Sequence, residues 1–245
     1  METKIDEIAP DVFRLSTYVA EVAAPAGFTF NQFLVRAESP FLFHTGMRGL
    51  FPLVSAAVAS LVPLEDLRWI SFGHVEADEC GAMNAFLGAA PRSEVVHGGL
   101  ACMVSLDDLA DRKPSVIGDE PLDLGGKRMR FLPTPHVPHN WESGLWFEEE
   151  TRTLFAGDLF TSVGDNGAIT DDDLVERAMA AEEIFHATGL GPNVERTMRE
   201  LAALQPTTIA VMHGASYTGD GGAQLDALAD RYAALLEDAQ IAATA

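Results

Sequence analysis

The densest run of chemistry-bearing side chains is Ser71-Phe72-Gly73-His74-Val75-Glu76-Ala77-Asp78-Glu79-Cys80-Gly81. A spacing of two in extended backbone turns His74, Glu76 and Asp78 to one side, which gathers one imidazole nitrogen and two carboxylate oxygens around a common point. These are metal-donor types. The chain of 245 residues has 2 cysteines, Cys80 and Cys102, so neither a disulfide framework nor a Cys-rich zinc site can be built. Any metal must be held by His, Asp and Glu.

Three later segments offer further donors. Thr134-Pro135-His136-Val137-Pro138-His139-Asn140-Trp141-Glu142-Ser143 carries two prolines that leave the turn few conformations to lose, and one of its histidines is a candidate ligand. Thr153-Leu154-Phe155-Ala156-Gly157-Asp158 is an apolar strand ending in a carboxylate, placed where sites in α/β folds lie. In isolation Asp158 would read as a turn or cap residue. Ile209-Ala210-Val211-Met212-His213-Gly214 repeats the strand-then-donor pattern with an imidazole.

In this order the four segments resemble the metallo-β-lactamase superfamily, whose pattern is a His-x-His-x-Asp-His loop, a Thr-Pro-Gly-His turn, a Gly-Asp strand end and a late Gly-His. The likeness extends from about Phe28 to Gly214. Glu76 replaces the second His, and His-x-Glu-x-Asp is similar to the oxygen-binding diiron domain of flavodiiron proteins. His139-Asn140-Trp141-Glu142-Ser143 resembles the His-Trp-Pro-Asp-Ser stretch of the same domains. The resemblance implies an αββα sandwich with two mixed sheets and two metals at one edge. Carried over by position, His74, Glu76 and His139 would hold one metal, Asp78 and His213 the second, and Asp158 would bridge. Asp78 and Asp158 would also be the catalytic carboxylates.

Replacing an imidazole by a carboxylate makes such a site harder, which favours iron, with manganese or zinc as alternatives. Glu76, Asp78 and Asp158, with Glu79 if it ligates, would offset the charge of two divalent ions. Three positions depart from the pattern. Glu79 stands where another His is usual, so the second metal gains a carboxylate, keeps an open position or is held less tightly. His136 and His139 compete for one role; the Trp-x-Ser neighbourhood favours His139, leaving His136 as a supporting residue or alternative ligand. His44 occupies the place of a supporting Asp after a strand, where it would donate to a ligand carboxylate or serve as a buried structural residue.

The elements that must position these residues alternate along the chain. Strands are expected over 13–18, 28–36, 40–43, 69–72, 94–96, 128–132, 144–148, 153–156 and 208–212. Helices are expected over 49–61, 79–87, 100–109, 171–188, 192–204 and 222–238. This is an α/β pattern in two sheet layers, read as one domain over 1–245 with the Ala-rich end 238–245 fraying. Thr170 with the acidic run after it reads as the start of a helix. Phe72, Trp141, Trp146 and Phe160 read as core, Cys80 as a small buried hydrophobe, His97 as structural or at the surface, and His186 as solvated.

Composition narrows the function. With 16 basic and 37 acidic residues the formal net charge is −21, so a polyanion or an anionic lipid surface would find no cationic face. Nucleic acid and membranes are therefore unexpected partners. The N-terminus lacks a basic start and apolar run, and no stretch approaches a membrane span; a cytoplasmic protein is expected. Gly-x-x-x-x-Gly-Lys-Ser/Thr and Gly-x-Ser-x-Gly are absent, and Gly189-Leu190-Gly191 follows a helix instead of a strand. The expected activity is binding or reduction of a small oxidant, such as dioxygen or nitric oxide, at a diiron site. FMN is not expected on a domain of this chain, so electrons would come from an external donor protein; the resemblance also suggests a homodimer. The alternative is a hydrolase that attacks an ester, thioester or lactam with a metal-activated hydroxide.

Overall fold

The computed structural model describes residues 1–244. Its first sheet runs in spatial order through β1 (Thr3–Ala9), β2 (Val12–Val19), β3 (Phe28–Val35), β4 (Phe41–Phe43), β5 (Trp69–Ser71), β6 (Glu94–His97) and β7 (Ser115–Val116). β1 to β4 are antiparallel, and β4 to β7 are parallel. The second sheet contains β8 (Leu122–Asp123), β9 (Arg128–Pro133), β10 (Gly144–Glu148), β11 (Thr153–Phe155), β12 (Ile169–Thr170), β13 (Thr208–Ala210) and β14 (Ser216–Thr218), ordered β12-β14-β13-β11-β10-β9-β8. Both sheets are mixed, as expected of this fold class.

Helices cover the two outer faces. α1 (Phe51–Leu61), α2 (Ala77–Cys80), α3 (Met83–Ala89) and the segment α4 (Gly99–Ala101), a π turn (Cys102–Leu106) and α5 (Asp107–Leu109) lie with the first sheet. α6 (Val175–Phe185), α7 (Val194–Ala202) and α8 (Gly221–Thr244) cover the second. A third apolar layer, with Phe33, Phe41, Phe43, Trp146 and Phe155, fills the space between the sheets. The result is an αββα sandwich.

Alternation along β3 shows how sequence builds these layers. Phe28, Phe30 and Leu34 join the helix-side core, whereas Phe33 and Val35 join the inter-sheet core, so all eight residues of the strand are buried. Asn31 has a different task. Its Nδ2 donates to the carbonyls of Val211 and Gly214, each at 2.8 Å, and its backbone N–H donates to Met212 O at 3.0 Å. Arg14, also buried, donates to Gly214 O at 3.1 Å. Further links join the sheets near the other loops: Trp146 Nε1 donates to Ser71 Oγ at 2.9 Å, and Gly144 N to Gly73 O at 2.8 Å.

Several local expectations are corrected. Residues 238–244 are part of α8, and Ala245 lies outside the described residues. Thr170 belongs to β12, and α6 begins at Val175, where Asp173 Oδ1 accepts the Val175 N–H at 2.7 Å. Trp141 is 54 % exposed, while Phe72, Trp146 and Phe160 are in the core. Cys80 is partly buried against the helix-side core, His97 is fully buried, and exposed His186 ends α6 in left-handed backbone.

Asn31→Ala leaves Val211 O without its side-chain donor and Gly214 O with Arg14 alone, and should cost about 1–3 kcal/mol of unfolding free energy, the range for an unsatisfied buried polar group. Urea denaturation measures this, and a loss below about 1 kcal/mol would show that the strand pairing alone secures the 211–214 loop.

Candidate metal centre

Five loops leave the C-terminal ends of strands and meet at one edge of the sandwich. His44 follows β4, His74 follows β5, His139 lies beyond β9, Asp158 follows β11 and His213 follows β13. Parallel pairing of β4 with β5, and of β11 with β13, makes the neighbouring strand ends emerge on the same side. A crevice at strand carboxyl ends is where α/β sheets commonly bind ligands.

The structure brings four donors into one cluster. Nitrogen or oxygen atoms of His74, Glu76, His139 and Asp158 all lie within 4.8 Å of one another. His74 Nε2 is 2.7 Å from Glu76 Oε2 and 2.9 Å from His139 Nε2. His139 Nε2 is 3.2 Å from Glu76 Oε2 and 3.5 Å from Asp158 Oδ2. The other oxygen of Asp158 faces His213: His213 Nε2 is 3.3 Å from Asp158 Oδ1 and 3.2 Å from Asp78 Oδ2. The carboxylate of Asp158 therefore looks toward both groups.

Backbone geometry explains how Asp158 and His139 are delivered. Gly157 has φ +52 and Phe160 φ 61, which turn the chain sharply around Asp158. In the 134–143 turn, Thr134 Oγ1 and Ser143 Oγ donate to Val137 O at 2.8 and 2.9 Å, and the His136 N–H donates to Asn140 O at 2.7 Å. The His136 side chain is exposed and outside the cluster, so His139 alone of the competing pair reaches it.

Glu79 also departs from expectation. It is completely buried, but its carboxylate meets Nδ1 of His74, on the ring edge opposite the cluster, at 3.3 Å. His44 Nε2 lies 3.3 Å from the same Glu79 oxygen. That carboxylate is not in the donor cluster. His44 is itself held in left-handed backbone, φ 64.

Some residues that complete the site carry no sequence signal. Glu142 Oε1 accepts the Val75 N–H at 3.2 Å, tying the His139 turn to the His74 loop. Thr29 O accepts from His213 Nδ1 at 2.8 Å, and Thr29 Oγ1 accepts the Gly214 N–H at 2.9 Å. A strand Thr announces neither role. Phe28, which the sequence marks only as the start of a strand, stacks on the His213 ring with centroids 4.2 Å apart.

Electrostatics oppose an empty site of neutral histidines. Burial disfavours charge on His74, but Glu79, the contact with Glu76 and the charge of Asp158 outweigh it and raise the ring to about 10. Burial likewise opposes charge on His213, and Asp158 and Asp78 raise it to about 10. The hydrogen bond to Glu76 raises His139, while His139 and then His74 hold Glu76 well below the usual carboxylate range. Two imidazole nitrogens 2.9 Å apart can share at most one proton between them. Asp158 Oδ1 is buried without a hydrogen bond. Convergent lone pairs beside an unsatisfied carboxylate oxygen fit a divalent cation, so the residues present suit the metal that their types suggest. A cavity of about 300 Å³ opens beside them, lined also by Phe28, Ala181, Phe185, Thr188 and Tyr232.

Residues 28–214 match the model of the ODP family beta lactamase. The chain belongs to that family. This ODP-family chain is 25 % identical over 207 residues to the rubredoxin-oxygen oxidoreductase of Megalodesulfovibrio gigas, covering 80 % of this chain and 51 % of the relative. It is similar in structure to a metal-soaked Flv1 flavodiiron core from Synechocystis sp., with a TM-score of 0.80 at 21 % identity, over 94 % of this chain and 60 % of the other. The flavodiiron protein from Giardia intestinalis matches with a TM-score of 0.80 at 19 % identity, over 94 % and 59 %. Across the curated relatives it matches, this chain spans between about a third and a half of their length. No helix among the described residues is long and apolar enough to cross a membrane.

The pH dependence of the metal-free protein follows from the raised histidines. Their pKa values exceed the ordinary 6.5, so the stability they contribute is fully present below pH 6.5 and is lost as pH rises toward about 10. The thermal midpoint of the metal-free protein should fall across that window, and the metal-loaded protein should lack this component because the ligating nitrogens no longer bind protons. Parallel thermal melts of the two forms from pH 6 to 10 check this; equal slopes would contradict it.

Proposed function

We infer that this domain holds a non-heme diiron centre that binds or reduces a small oxidant, such as dioxygen or nitric oxide, with electrons from an external donor. The observation that carries this reading is the arrangement of carboxylate and imidazole atoms around Asp158. One of its oxygens faces the cluster of His74, Glu76 and His139, and the other faces His213, which pairs with Asp78. The name of the Megalodesulfovibrio gigas relative, a rubredoxin-oxygen oxidoreductase, supports both the oxidant and the external donor.

In this reading His74, Glu76 and His139 would hold one iron and Asp78 and His213 the other, with the Asp158 carboxylate shared between the two groups. Iron held there would supply the one-electron redox chemistry that the reduction needs. The protein's own contribution is positional. His74 and His139 are fixed by the linked 71–76 and 134–143 loops, while His213 is clamped between Thr29 O and the Phe28 ring. Phe28, Ala181 and Phe185 give the cavity an apolar wall that suits an uncharged diatomic molecule. With Glu79 turned away, Asp78 and His213 are the groups beside Asp158 that would hold the second metal.

Iron reconstitution without oxygen, followed by metal analysis and absorption spectra on exposure to air, tests the assignment. About two irons per chain and an air-dependent band are expected; two zinc ions, no response to air and turnover of a generic ester would overturn it in favour of hydrolysis. Asp158→Ala should lose both metals, whereas His213→Ala should lose mainly one. Equal retention by the two variants would contradict the bridging role.

A further inference from the structure

Glu79 occupies the third position of the short helix α2, and its side chain reaches back over the loop that carries His74. Glu79 Oε2 accepts the backbone N–H groups of Gly73 and His74, each at 2.7 Å. Glu79 Oε1 lies 3.3 Å from His74 Nδ1 and 3.3 Å from His44 Nε2. Those two nitrogens and Oε1 are buried, and none makes a hydrogen bond among the described residues beyond these 3.3 Å contacts between carboxylate and ring nitrogen. A buried polar atom of this kind needs a partner, and each has its candidate in the other group of the contact.

The count of lone pairs then decides what Glu79 can do. A carboxylate accepts at about four sites, and two backbone N–H groups and two ring nitrogens lie within 3.3 Å of it on the side away from the cluster. The loop is shaped for this contact: a Cβ on Gly73 would sit 3.1 Å from either oxygen of Glu79.

Resting on the metal-centre reading, we propose that Glu79 is a positioning residue and not a ligand: it accepts the Nδ1 proton of His74, presenting Nε2 of that ring to the metal, and His44 holds the carboxylate in place. A carboxylate behind a ligating histidine fixes the tautomer and the ring orientation. The contact with His44 keeps the Glu79 carboxylate behind His74 and away from the cluster.

Zinc ions alone suffice to test this, because the proposal concerns metal retention and not redox chemistry. In a His213→Ala background, which isolates the metal held by His74, Glu79→Gln should weaken zinc about 10–100-fold in chelator competition, the usual cost of losing such a partner. Adding His44→Asp to Glu79→His should recover at least tenfold of the affinity lost by Glu79→His alone. Histidine ¹⁵N NMR of the zinc-loaded protein should show the His74 proton on Nδ1, and circular dichroism confirms that each variant folds. Unchanged zinc affinity in Glu79→Gln, or in the otherwise unaltered chain a loss confined to the metal held by Asp78 and His213, overturns the proposal. Failure of the unaltered protein to bind two zinc ions or two irons would instead count against the metal centre itself.

Discussion

Everything at the site depends on the alignment of two sheets that share no strand. Donors come from both, so a slide of one sheet past the other by a single residue repeat, roughly 3.3 Å, would separate them. Apolar packing between the sheets resists such a slide only weakly, because it is non-directional. Direction comes from a few buried polar links: Asn31 and Arg14 to the 211–214 loop, Trp146 to Ser71, and Gly144 to Gly73. Each joins the two halves near a donor-bearing loop. These groups forfeit water contacts unless the register is right, which gives the sandwich a preferred alignment where the chemistry requires it.

The sequence was most legible where chemistry is written in residue type at short range. His74, Glu76, Asp78, Asp158 and His213 stand out because imidazole and carboxylate groups recur directly after strand-like runs, and the family pattern orders them. Strands such as β3 and β10 were equally plain from their aromatic and β-branched content. Short pairings were not: β7, β8, β12 and β14 have two or three residues each, too few for a periodic signal, and exist because a neighbouring strand offers its edge. β1 is longer, but its mixture of charged and apolar residues gives little indication of a strand.

Orientation was the least legible property. Glu79 has the right type and lies beside three donors, but its direction is set by two backbone N–H groups and by His44, far earlier in the chain. His136 and His139 differ in the same way. One takes left-handed backbone and points to solvent, a consequence of the closed hydrogen bonding of their turn. Thr29 and Glu142 support their loops through backbone partners, which have no sequence identity to be recognised.

The contact between His44 and Glu79 also makes the two positions interdependent. Two acids there would bury like charges against each other, and two imidazoles would leave donors without an acceptor, so a change at one position penalises the chain until the other follows.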